Sequence, residues 1–159
     1  MLIKNIIDED FVNYKKPSMF IGTCLCNWKC CKEQNFDVSV CQNSSLANQK
    51  DISVSVDFLV DRYLCNPITR SVVIGGLEPF LQFEEIYDLI RLFRTHRNDD
   101  IVIYTGYYPN EIQSQITHLK EFKNIIIKYG RFIKGGKPKF DEVLGITLAS
   151  DNQWGEVIS

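Results

Sequence analysis

The chain has 159 residues, 45% of them hydrophobic and 24% charged, with a formal charge of −2. That length suits one domain spanning residues 1–159, because about 150 residues bury roughly 68–70% of their unfolded surface. It is too short for a complete eight-fold β/α barrel of about 250 residues. The near-neutral charge argues against a nucleic-acid partner, which would need clustered Lys and Arg. An aromatic content of 12% argues against disorder.

The chain opens MLIKNIIDEDFVNYKKP, with three acids, no apolar h-region and no small-residue cleavage site. No segment reaches the roughly 18 apolar residues of a membrane span, so a cytoplasmic location with no membrane partner is expected. Ser18 to Thr23 (SMFIGT) reads as a first strand and ends where the cysteines begin. Five of the six cysteines lie between Cys24 and Cys41; only Cys65, at the end of a helical pattern, stands apart. In a reducing compartment such clustered thiols point to metal or redox chemistry rather than disulfides. The segment from Cys24 to about Asn48 has no period, and a long aperiodic loop inside a compact domain is usually functional.

Val56, Leu59, Val60, Tyr63 and Leu64 share one helical face, with Ser55 as N-cap. Ser71 to Ile74 (SVVI) is a second strand, closed by Gly75 and Gly76. A helix from about Gln82 to Thr95 carries Phe83, Ile86, Tyr87, Ile90 and Phe93 inward, with Glu84 and Glu85 in its first turn. Ile101 to Tyr104 (IVIY) is a third strand, stopping at Thr105 and Gly106. Pro109 is placed to open a helix bearing Ile112, Ile116 and Leu119. Ile125 to Lys128 (IIIK) is a fourth strand and Gly145 to Leu148 (GITL) a fifth. Strand–helix alternation implies an α/β fold with about five parallel strands, whose ligands gather at the strands' carboxyl ends.

Structural zinc prefers paired C-x2-C ligands, which are missing here, although five thiols still offer four ligands. Cys26, Cys30 and Cys41 stand as C-x3-C-x10-C. Cys30 and Cys31 are adjacent, and neighbouring side chains in extended backbone diverge, so one cluster should take only one of them. That leaves Cys24 and Cys31 spare, with a set using Cys24 plus Cys30 or Cys31 still open.

The stretch resembles the cluster loop of the radical S-adenosylmethionine (radical SAM) superfamily, whose usual spacing is C-x3-C-x2-C. Three cysteines there hold a [4Fe–4S] cluster and leave one iron free to chelate the amino and carboxylate groups of SAM. IGGLEPF resembles the family's GGGEP signature, with Leu77 in place of a glycine. IVIYTGYYPNEI, IIIKYGRFI and GITLASDNQW resemble segments of the anaerobic ribonucleoside-triphosphate reductase activating proteins. Tyr129, Leu148, Ala149 and Trp154 replace that family's Asp, Arg, Gly and Arg.

The resemblance implies an open, partial (β/α) barrel with Cys26, Cys30 and Cys41 on the cluster. It further implies Gly75, Gly76, Glu78, Thr105, Ser150, Asn152 and Gln153 around SAM, with Glu78 accepting from the SAM ammonium. Its activity would be reductive cleavage of SAM to a 5′-deoxyadenosyl radical, fed by a flavodoxin- or ferredoxin-type donor. The radical would abstract hydrogen from a glycine of a glycyl-radical enzyme resembling anaerobic ribonucleotide reductase. The rival readings are a radical SAM enzyme acting on another peptide or small molecule, and a non-catalytic zinc or iron–sulfur module. Trp28, His96, His118 and the Lys134, Lys137 and Lys139 loop read as structural or surface residues.

Overall fold

A computed structural model describes residues 1–159. In chain order the elements are β1 (Leu2–Asp10), β2 (Ser18–Thr23), α1 (Lys29–Glu33), α2 (Ser44–Ala47), β3 (Ile52–Ser53) and α3 (Val56–Cys65). They continue with β4 (Ser71–Gly76), α4 (Phe83–Arg94), β5 (Asp100–Tyr104), α5 (Gln113–Leu119), β6 (Ile125–Tyr129), β7 (Lys139–Asp141), β8 (Ile146–Leu148) and β9 (Trp154–Val157). Single 3-10 turns lie at Val38–Val40, Pro79–Gln82 and Pro109–Glu111.

Seven strands form one mixed sheet in the order β3-β1-β2-β4-β5-β6-β9. Its centre is parallel, as expected: β2, β4, β5 and β6 run alongside one another in chain order. The flanks are antiparallel, β1 and β3 on one side and β9 on the other. The sheet is open, with β3 and β9 as its edges, and no closed barrel forms.

The expected fifth parallel strand is corrected here. Ile146–Leu148 is a strand, but it pairs antiparallel with β7 in a separate two-stranded sheet. Its place beside β6 is taken by β9, with Trp154 opposite Tyr129. Pro109 opens a 3-10 turn, not a helix, and α5 begins only at Gln113. No helix is long and apolar enough to cross a membrane.

All three long helices cover one face. Leu59, Val60 and Tyr63 of α3, Ile86, Leu89, Ile90 and Phe93 of α4, and Ile116 and Leu119 of α5 pack on Val72, Ile74, Ile101, Ile103, Ile125 and Ile127. Alternation along each strand sends the intervening residues to the other face. There Val73, Val102 and Ile126 meet Tyr14, Leu144 and Leu148 in a smaller core capped by β7 and β8. That second face is thinly covered, and at the strands' carboxyl ends it opens into a cavity.

Candidate metal centre

The cysteine loop leaves β2 at Thr23 and is tied down by polar bonds. Gln82, buried beneath it, accepts from the Cys24 N–H (2.8 Å) and donates to Leu2 O (2.8 Å), pinning the loop's start to β1. The Glu78 N–H donates to Leu25 O (2.7 Å), and Asn27 Nδ2 donates to the Tyr107 hydroxyl (2.7 Å). Trp28 takes a left-handed backbone conformation (φ 57°) and turns the chain into α1. Asp37 caps the following 3-10 turn by accepting from Ser39 N (2.9 Å), which delivers Cys41. Asn43 then donates to Gly76 O (2.5 Å).

Cys30 and Cys31 both lie on α1. The divergence expected of adjacent residues in extended backbone therefore does not occur: the helix holds their sulfurs 3.9 Å apart. The Sγ atoms of Cys30, Cys31 and Cys41 all fall within 4.8 Å of one another. The neighbouring Cys41 thiol holds the Cys30 thiol below its ordinary range, whereas burial pushes Cys26 and Cys31 up. Cys31 is 1% exposed, the only buried side chain between residues 24 and 48.

A cavity of about 510 Å³ lies at the carboxyl ends of β4, β5 and β6, within the usual 300–1,000 Å³ of small-molecule sites. Cys26, Cys30 and Cys41 line it; Cys24 and Cys31 do not. Of the other expected residues, Gly76, Glu78, Thr105 and Gln153 reach the cavity, and Gly75, Ser150 and Asn152 do not. Gly75 is a packing residue, because a Cβ there would meet Tyr104 and Phe20 at 3.2–3.3 Å. Gly76 adopts φ +85°, a conformation that favours glycine, and a Cβ would come within 2.7 Å of Leu46. Ser150 is fully buried with its hydroxyl unpartnered. Asn152 donates to Tyr108 Oη (3.2 Å) and Arg131 O (2.9 Å), and Gln153 to Gly130 O (3.1 Å). These tail residues brace the loop after β6.

Glu78 forms part of the cavity floor. It is 6% exposed, and its carboxylate accepts from Thr105 Oγ1 (2.7 Å), Gly106 N (2.9 Å) and Phe80 N (3.2 Å). Burial pushes this carboxyl up, against the pull of those donors and of Lys128. Lys128 is the cavity residue that motif reading passes over. It is 8% exposed, donates to Gly130 O (3.1 Å), and sits 5.9 Å from the Tyr104 ring centroid. Burial draws its ammonium down to about 8, with Glu78 opposing. The available signal was a lysine closing an otherwise apolar strand.

Outside the cavity, Arg131 clamps α1. Its guanidinium is bidentate to Glu111 (2.8 and 2.6 Å) and reaches Glu33 of α1 at 2.5 Å, while Lys29 of α1 pairs with Glu111 as well. Gln34 adds a bond to Phe132 O (2.6 Å).

The donor set suits iron and sulfide. Three soft thiols face one roomy cavity, and thiolates are the ligands that hold iron–sulfur clusters. A search against proteins of curated function finds no match. A family profile described as a 4Fe-4S single cluster domain matches residues 15–148. That span takes in the entire cysteine loop and the four parallel strands that carry it. The chain therefore belongs to the 4Fe-4S single cluster domain family.

Proposed function

We propose that this domain is a radical SAM activase whose cluster is held by Cys26, Cys30 and Cys41. The observation that carries the reading is convergence: three cysteines, Gly76 to Glu78, Thr105 to Gly106 and Gln153, far apart in sequence, line one cavity. The bound [4Fe–4S] cluster and SAM supply the chemistry, a one-electron reductive cleavage of the sulfonium that yields a 5′-deoxyadenosyl radical. The chain's own residues bind and orient. Three ligands rather than four leave a metal position open for a small molecule. Glu78 uses three of about four lone-pair sites on protein donors, leaving one to accept from an ammonium. Lys128 spends one of its three N–H donors on Gly130, so two remain for a carboxylate. Thr105 and Gly106 fix the Glu78 rotamer.

The substrate we propose is a glycine-bearing loop of a glycyl-radical enzyme resembling anaerobic ribonucleotide reductase, with a flavodoxin- or ferredoxin-type electron donor. An open sheet with a thinly covered face admits a protein loop more readily than an enclosing barrel does.

Anaerobic reconstitution with iron and sulfide should yield a brown protein that forms 5′-deoxyadenosine from SAM under dithionite. Adding the reductase should then produce a glycyl-radical resonance. A protein that loads four irons but makes no 5′-deoxyadenosine overturns the radical reading and leaves a non-catalytic cluster module. 5′-Deoxyadenosine without a glycyl radical would redirect the search to another substrate.

A further inference from the structure

We propose that Cys30, Cys31 and Cys41 form a second binding mode of the cysteine loop, taking one thiophilic divalent cation such as Zn²⁺ in place of the cluster. The three sulfurs lie within 4.8 Å of one another, with Cys30 and Cys31 at 3.9 Å. Tetrahedral zinc with Zn–S bonds of about 2.3 Å separates its sulfurs by about 3.8 Å. The Cys30–Cys31 spacing matches that edge, and Cys41 closes the triangle. Thiolates on a cubane each bind a different iron and stand wider apart than ligands of one ion, so cluster loading would have to spread the Cys30–Cys41 pair, whereas a single ion takes it as it stands.

Two overlapping sets of thiols are thus present. The wide set, Cys26 with Cys30 and Cys41, faces the cavity. The narrow set exchanges Cys26 for Cys31, which is 1% exposed and does not line the cavity. Helical backbone makes the narrow set, because α1 brings two consecutive cysteines onto one ion. The fourth tetrahedral position is left to water. Each thiol releases its proton as the metal–sulfur bond forms, with no change of oxidation state.

Cys30 and Cys41 belong to both sets, so ion and cluster exclude each other. That exclusion rests on the cluster ligands assigned under the proposed function; the single-ion mode rests on its own geometry.

The test uses the full chain, metal-free, reduced and anaerobic, with Co²⁺ as the optical probe and Zn²⁺ as competitor. Wild type should bind one Co²⁺ with tetrahedral thiolate absorption that Zn²⁺ abolishes. Cys26→Ala should keep that spectrum, and Cys31→Ala should lose it, weakening Zn²⁺ binding by more than the ~10–100-fold typical of losing an outer-sphere partner. Wild type without a tetrahedral Co²⁺ spectrum, or an unchanged spectrum in Cys31→Ala, overturns the proposal.

Alkylation of wild type covers the case in which Cys31→Ala fails to fold. One equivalent of Zn²⁺ should protect Cys41 while Cys26 reacts at its metal-free rate. Joint protection of Cys26 and Cys41 places the ion on the wide set and overturns the proposal. Iron and sulfide reconstitution of the same variants keeps the two readings apart. Cys26→Ala should fail to build a cluster although it binds Co²⁺, and Cys31→Ala should build one. A full cluster in Cys26→Ala removes the cluster assignment and leaves the single-ion mode standing.

Discussion

Glu78 sets burial against charge within one side chain. A carboxylate nine-tenths buried persists because Thr105, Gly106 and Phe80 all donate to it. Replacing it strands those donors. Glu78→Ala should destabilise the metal-free protein by about 2–4 kcal/mol, since each unsatisfied buried donor costs about 1–3 kcal/mol. Glu78→Gln keeps the shape and the Thr105 contact but turns an amide N–H toward Gly106 N, costing about 1–2 kcal/mol. Chemical denaturation measures both, and a wild-type midpoint for Glu78→Ala would remove Glu78 from the cavity floor. GGLEP marked Glu78 in the sequence because it follows an apolar strand. Lys128 carried no such mark: IIIKY reads as an apolar strand with a polar end, and nothing in that segment announces that Glu78, Thr147 and Leu148 line the same cavity.

Among the elements, those with a hydrophobic period were legible. Ser55 caps α3 by accepting from Phe58 N (3.1 Å), and Glu84 and Glu85 open α4 as the dipole argument requires. The two helices of the cysteine loop have five and four residues, too short to display a 3.6-residue repeat. β1 was hidden differently. LIKNIIDED keeps no period-2 alternation: Ile3, Lys4 and Asp10 are buried while Leu2, Ile7 and Glu9 are exposed, and irregularities interrupt its register with β2.

What fixes α1 is electrostatic, and therefore depends on pH. Arg131, then Lys29 and the Tyr108 N–H, hold the Glu111 carboxyl down to about 2 from an ordinary 4.5. A folded value below the unfolded one means that the stabilisation is complete above 4.5 and disappears as pH falls toward 2. Glu111→Gln should cost about 1–2 kcal/mol at neutral pH, after allowance for solvent screening at its partly exposed edge. The gap from wild type should close by about pH 2. Denaturation midpoints across that range check this, and parallel curves would contradict it.

At the scale of the molecule, the sheet separates stability from function. The larger core lies between the sheet and α3, α4 and α5, while the cavity occupies the opposite, thinner side. The parallel centre was readable from the alternation of strand and helix. The sheet's flanks were not, because β3 and β9 are short and their partners are set by tertiary packing. Cluster loading should raise the melting temperature, since only the folded chain gathers Cys26, Cys30 and Cys41 at one cavity. Scanning calorimetry of loaded and metal-free protein measures the difference, and equal melting temperatures would argue against ligands drawn from this loop.

With Cys31 as its one buried side chain, the segment from residue 24 to 48 is a door on polar hinges. Its fastenings run to Gly76, the last residue of β4, and to Tyr107, Glu111, Arg131 and Phe132, which lie beyond the carboxyl ends of β5 and β6. Such a segment opens at a free energy well below that of global unfolding. In metal-free protein, amides of the loop should exchange hydrogen far faster than those of β4 to β6, and loading should slow them selectively. Uniform exchange across loop and sheet would contradict this. The loop, and not the sheet, is therefore the part of the molecule whose motion reports cofactor loading.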